Sequence, residues 1–160
     1  MDHSRLKIVI FGAYNAGKSS FIRAIDPKSR HIEANKCEVS TTVGLDFGRT
    51  LVNGRKIYLF GTPGQERFEF VRDILSRGMD GAIVVADTTH DLDGLTEGLC
   101  ASLSASGCPY AVFLNKCDHP DSQPGRYHAI TCSVFSPEIS AVNGCNTSEA
   151  LREFLDIHFQ

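Results

Sequence analysis

The chain has no C-x-x-C spacing, no apolar run of bilayer-spanning length, no basic cluster and no low-complexity tract. Without paired spacing, Cys37, Cys100, Cys108, Cys117, Cys132 and Cys145 make neither a zinc ribbon nor a secreted disulfide scaffold, so buried reduced thiols are expected. The six histidines are scattered as well. With 16 Lys and Arg against 19 Asp and Glu, and basic residues only in pairs such as Arg55-Lys56, there is no footprint for nucleic acid, and no such partner is expected. No signal peptide or spanning segment is visible, which points to a cytoplasmic protein. Asp2 stands where myristoylation needs glycine, and Asp156-Ile157-His158-Phe159-Gln160 holds no cysteine for prenylation, so no direct membrane anchor is expected. What is present is ordinary: 160 residues, 42% apolar and 22% charged, enough for one domain over 1–160 with a sizeable core.

The informative stretch is Leu6-Lys7-Ile8-Val9-Ile10-Phe11, an apolar strand that runs straight into Gly12-Ala13-Tyr14-Asn15-Ala16-Gly17-Lys18-Ser19-Ser20. This is G-x-x-x-x-G-K-S followed by a helical pattern. Polyphosphate is best held by backbone N–H groups, and Gly12 and Gly17 let the chain curl around it. Lys18 then reaches the β/γ oxygens, Ser19 offers a hydroxyl to Mg²⁺, and the following helix aims its positive end at the anion. With Asn15, Ala16 and Ser20, these residues form the expected phosphate cradle.

Tyr110-Ala111-Val112-Phe113-Leu114 reads as a buried parallel strand ending in Asn115-Lys116-Cys117-Asp118. A buried Asp118 can accept two hydrogen bonds from guanine N1 and the exocyclic amine, whereas adenine would leave it unpaired. These two motifs, in this order, resemble those of small Ras-superfamily GTPases, nearest in pattern to Rab and Arf proteins and their prokaryotic relatives. Thr42-Val43-Gly44-Leu45-Asp46-Phe47 is similar to the Rab switch I string T-I-G-V-D-F, and Thr62-Pro63-Gly64-Gln65-Glu66-Arg67-Phe68 to the switch II string T-A-G-Q-E-R-F. Ser140-Ala141-Val142-Asn143-Gly144 matches the start of the Rab S-A-K-T-G segment, with the N–H of Ala141 left for guanine O6 and Val142 in place of the base-stacking lysine.

Alternating strand and helix patterns predict an α/β fold. Strands are expected over about 5–11, 44–52, 55–61, 80–87, 109–114 and 137–140, and helices over about 18–25, 65–77, 92–106 and 147–158. Asn53-Gly54 is a hairpin signal that pairs the second and third strands antiparallel. The resemblance implies a three-layer P-loop NTPase architecture, with a six-stranded mainly parallel sheet and one antiparallel edge strand. The poor helix formers Thr131, Cys132, Ser133 and Val134 predict only a stunted helix within 126–136.

The resemblance also implies binding of GTP and GDP with Mg²⁺, slow hydrolysis, and protein effectors and regulators that read the two switches. Thr42 and Ser19 would complete the metal shell, Lys18 would hold the phosphates, Gln65 would orient water, and the Gly64 N–H would face the γ-phosphate. Phe68, Phe70, Val71, Ile74 and Leu75 offer either a partner surface or a buried stripe. The chain departs from the family at Gly61, where the aspartate that holds Mg²⁺ through water belongs. Counting back from a two-residue Asn53-Gly54 turn sets Asp46 opposite Gly61, with Cβ positions about 5 Å apart. Asp46 is either a substitute carboxylate or an ordinary packing and effector residue. Asn15 resembles the loop asparagine of K⁺-activated GTPases, or it simply tolerates the loop backbone. Tyr14 crowds the space of a partner's arginine finger. The chain is thus either a GTP-hydrolysing switch or a degenerate G protein that serves as a scaffold.

Overall fold

The computed structural model describes residues 4–35, 42–63, 73 and 76–160. Six strands, β1 (Arg5–Phe11), β2 (Arg30–Asn35), β3 (Thr42–Val52), β4 (Arg55–Gly61), β5 (Gly81–Asp87) and β6 (Tyr110–Asn115), form one sheet in the order β2-β3-β4-β1-β5-β6. β1 pairs in parallel with β4 and β5, and β6 adds in parallel to β5. β3 is reversed relative to both neighbours.

The central strands are apolar on both faces because both faces are covered. Leu6, Ile8 and Ile10 of β1 point into one core with Phe21 and Ile22 of α1 (Lys18–Ile25) and with Leu151 and Phe154 of α4 (Thr147–His158). Their alternates Val9 and Phe11 point into a second core with Cys100 and Leu103 of α2 (Gly94–Ser106). Period-two alternation thus splits one strand between two helical layers. Asn53 and Gly54 both have positive φ, 51° and 79°, which closes β3 onto β4 in two residues and sets the register Val52↔Arg55 through Asp46↔Gly61. The register counted from the sequence is the one observed.

Two strand expectations are corrected. The sixth strand is β2, which pairs antiparallel with β3 at the sheet edge, and not 137–140. The latter segment does run beside β6: Leu114 N–H donates to Pro137 O, and Ile139 N–H to Leu114 O. Pro137 has no N–H to donate, so the ladder there reduces to the single bridge Leu114↔Glu138. The stunted helix appears as a 3₁₀ turn, Pro124–Tyr127, followed by α3 (His128–Thr131). Of the helix expected over 65–77, Asp73 and Ser76 are helical and 64–72, 74 and 75 lie outside the described residues, as do Phe68, Phe70, Val71, Ile74 and Leu75. Among the described cysteines only Cys100 is buried, while Cys132 and Cys145 are exposed; all five are free thiols, and Cys37 is outside the description. Among the described residues no helix is long and apolar enough to cross a membrane.

Candidate functional site

The phosphate loop leaves β1 after Phe11 and enters α1 at Lys18. Gly17 caps that helix at φ 104°, a left-handed conformation without a side chain, and the first turn holds no acidic residue. The first N–H groups of α1 therefore have neither an intrahelical partner nor a side-chain cap, and the helix dipole favours an anion there. Lys18 is buried and its Nζ donates to Gly12 O and Ala13 O, both at 2.8 Å, so the ammonium lies across the loop. Asn15 is exposed at φ 62°, a backbone conformation that by itself accounts for asparagine. Tyr14 is also exposed.

Asn115, at the end of β6, ties three loops together. It is 2% exposed; its Nδ2 donates to Ala16 O at 2.9 Å, and its Oδ1 accepts from Ala141 N–H at 2.9 Å. The Ala141 N–H is therefore committed to Asn115, not held open for a base oxygen as expected. Lys116 sits at φ 66° and its Nζ bonds Asp87 Oδ2 at 2.8 Å. Burial raises the Asp87 pKa, but hydrogen bonds from Lys116 and Thr89 outweigh it and leave the carboxyl below its ordinary value. Asp118 is exposed, not buried; its oxygens accept from Ser140 Oγ at 2.8 Å and Asn143 Nδ2 at 3.3 Å. Val142, next to Asn143 in sequence, is 79% exposed.

On the metal side, Asp46 Oδ2 makes a short contact with Ser19 Oγ, and Asp46 Oδ1 lies 2.8 Å from His31 Nδ1. Thr62 is buried, with its hydroxyl donating to Ile10 O at 3.1 Å, which pins the chain leaving β4 to β1. Thr42 opens β3, but its side chain is not described, and Gly64 and Gln65 lie outside the described residues. Ser19 and Asp46 are thus brought together, as are Asn115 with the phosphate loop and Asp118 with Ser140. His31, Asp87 and Asn143 were missed from the sequence. His31 sits on the strand that was not anticipated, whereas Asp87, at the end of β5 beside β6, was open to recognition from the two strands' expected pairing.

The hard oxygens of Ser19 and Asp46 fit a Mg²⁺ ion that keeps several waters and substrate phosphates in its shell. Among the described residues no three His, Cys, Asp or Glu side chains group closely enough to hold a metal ion by themselves.

A family model described as "50S ribosome-binding GTPase" matches residues 7–116. An uncharacterized protein of Methanocaldococcus jannaschii, MJ1339, is 31% identical over 121 residues, covering 76% of each chain. Translation initiation factor IF-2 of Flavobacterium johnsoniae is 27% identical over 159 residues, which is 92% of this chain but 16% of the factor. Among solved structures, the G domain of the Thermotoga maritima FeoB iron transporter superposes with a TM-score of 0.73 at 22% identity, covering 98% of this chain and 99% of that one. The phosphate loop, the Asn115 clasp and these likenesses converge: the chain belongs to the GTPase family of that model, with the fold of a small Ras-superfamily-like G domain.

Proposed function

We propose that this protein binds GTP and GDP with Mg²⁺, hydrolyses GTP slowly, and acts as a nucleotide-dependent switch for protein effectors and regulators. The observation that carries this reading is the Asn115 clasp, because it holds the phosphate loop against the loops bearing Asp118 and Ala141. One nucleotide can then be gripped at both ends. Lys18 would exchange its two loop carbonyls for β/γ oxygens, and Asp118 would read the guanine edge while Ser140 holds the carboxylate in place. Ser140, Ala141 and Val142 would line the base, and Lys116 would brace that side through Asp87. Gly12, Asn15, Ala16, Gly17, Ser19 and Ser20 would surround the phosphates. Ser19, Thr42 and Asp46 would supply protein oxygens on the metal side, and the bound ion would neutralise charge on the β/γ oxygens. Gln65 would orient the attacking water, with the Gly64 N–H beside the γ-phosphate.

A second reading, a degenerate G protein that holds nucleotide as a scaffold, is favoured by Gly61, which carries no carboxylate. Binding of fluorescent GDP and GTP, with single-turnover phosphate release, separates the two. Lys18→Ala should lower triphosphate affinity, and Gln65→Leu should preserve affinity while slowing release about tenfold or more. Equal, negligible release by the parent and Gln65→Leu supports the scaffold. Failure of either nucleotide to bind overturns both readings.

A further inference from the structure

We propose that the metal-side carboxylate of this G domain has moved one strand across the sheet, to Asp46 on β3, and that His31 on β2 is the positioning residue that aims it. This rests on the guanine-nucleotide reading above. His31, Asp46 and Gly61 are consecutive Cα partners across β2, β3 and β4, so the three positions form one transverse row. Residues directly opposed across a ladder share a face of the sheet. Ser19 and Ile22 of α1 lie over that row.

The room at position 61 is already taken. A Cβ built on Gly61 would lie 3.0 Å from Ile22 Cδ1, 3.2 Å from Asp46 Cβ and 3.6 Å from Asp46 Oδ2. Asp46 therefore leans over its glycine partner into the ground that a side chain there would occupy. Its own side chain is only 18% exposed, which suits an inward role better than an effector contact on the outer surface.

The two carboxylate oxygens are divided. An ionised carboxylate only accepts, so His31 Nδ1 must carry the proton it shares with Oδ1. Oδ2 is left to Ser19. The Ser19 hydroxyl has one O–H and two lone pairs; giving the O–H to Asp46 leaves lone pairs for a cation. Asp46 thus turns the Ser19 lone pairs toward the cation site, and His31 fixes its orientation as an outer partner fixes a metal's ligand. The carboxylate then stands in the middle of a strand paired on both sides, whereas Gly61 is the last residue of β4.

The test is the Mg²⁺ concentration needed to retain preloaded fluorescent GDP, with release in excess chelator as the metal-free reference. Asp46→Asn and His31→Ala should each raise the half-retention Mg²⁺ concentration about tenfold. His31→Asn, which keeps an amide donor near the Nδ1 position, should recover most of that loss, a rescue that a merely structural role would not give. Asp46→Gly should be repaired by adding Gly61→Asp, which returns a carboxylate from the opposite strand. Release in chelator should be the same for all variants. An unshifted Mg²⁺ requirement in Asp46→Asn, or purely additive effects of Asp46→Gly and Gly61→Asp, overturns the proposal while leaving nucleotide binding intact. If Asp46 variants do not fold, equal requirements in His31→Ala and the parent overturn it. A parent that retains no guanine nucleotide at any Mg²⁺ concentration overturns the underlying reading instead.

Discussion

Gly17 and Asn115 are in such close contact that any Cβ on the glycine would run into the Asn115 side-chain amide. The asparagine in turn holds Ala16 and Ala141. Gly17→Ala should therefore disrupt more than the loop's own backbone, costing about 1–2 kcal/mol for the left-handed φ together with the displaced amide. Asn115→Ala leaves a buried carbonyl and a buried N–H without partners, about 1–3 kcal/mol each. Because both act on one contact, urea melts of the double variant should show a loss smaller than the sum. A strictly additive result would mean that the clasp is not a unit.

Base choice should follow Asp118. Asp118→Asn places an amide donor where xanthine carries an extra oxygen, so preference should move from GTP to xanthosine triphosphate by about tenfold or more. Competition between the two nucleotides checks this, and an unchanged preference for GTP would remove Asp118 from the base site.

Acid stability should depend on Asp87. Burial works against its ionisation, but Lys116 and Thr89 outweigh burial and hold the folded-state pKa below the unfolded one. The stabilisation is therefore complete above the unfolded value of about 3.9 and fades as pH falls through the depressed folded value. Asp87→Asn should cost about 2 kcal/mol at neutral pH, and the difference from the parent should shrink as pH falls through the depressed folded value. A constant difference across that window would exclude a role for the charge.

Asn15 needs no ion to explain it, since its backbone is left-handed. Asn15→Gly should leave GTP affinity within about threefold of the parent, and replacing K⁺ by Na⁺ should not change hydrolysis. Loss of activity in Na⁺ that disappears in Asn15→Gly would instead identify a K⁺ ligand.

The sequence carried the central strands and both nucleotide motifs because each is set by local chemistry: unbroken apolar runs, glycines at tight approaches, and a strand ending in Asn115. Even the Asp46↔Gly61 pairing was countable, because a two-residue turn leaves no freedom in register. β2 was not legible. Arg30-His31-Ile32-Glu33-Ala34-Asn35 has two apolar side chains among six, and it holds its place by pairing along β3, with no apolar run of its own to announce it. With β2 went His31, whose partner can be named only once the strands are aligned. The segment before α4 misled for the opposite reason: Ile139 is buried like a strand residue, yet Pro137 removes a rung.

The Asn53-Gly54 turn has a reach far beyond its own two residues. Six ladder pairs separate it from the Asp46 row, about 20 Å along the strands at the usual rise, yet it decides which side chain meets Ser19. A single residue inserted there would shift β3 against β4 and present Leu45 or Phe47 opposite Gly61, turning the carboxylate to the far face of the sheet. Loop length, usually the most freely varied trait of a surface hairpin, is in this molecule tied to which side chain faces the phosphate-loop helix. If Asp46 serves the cation as proposed, a longer turn would cost that role unless an acidic residue stood at position 61 instead.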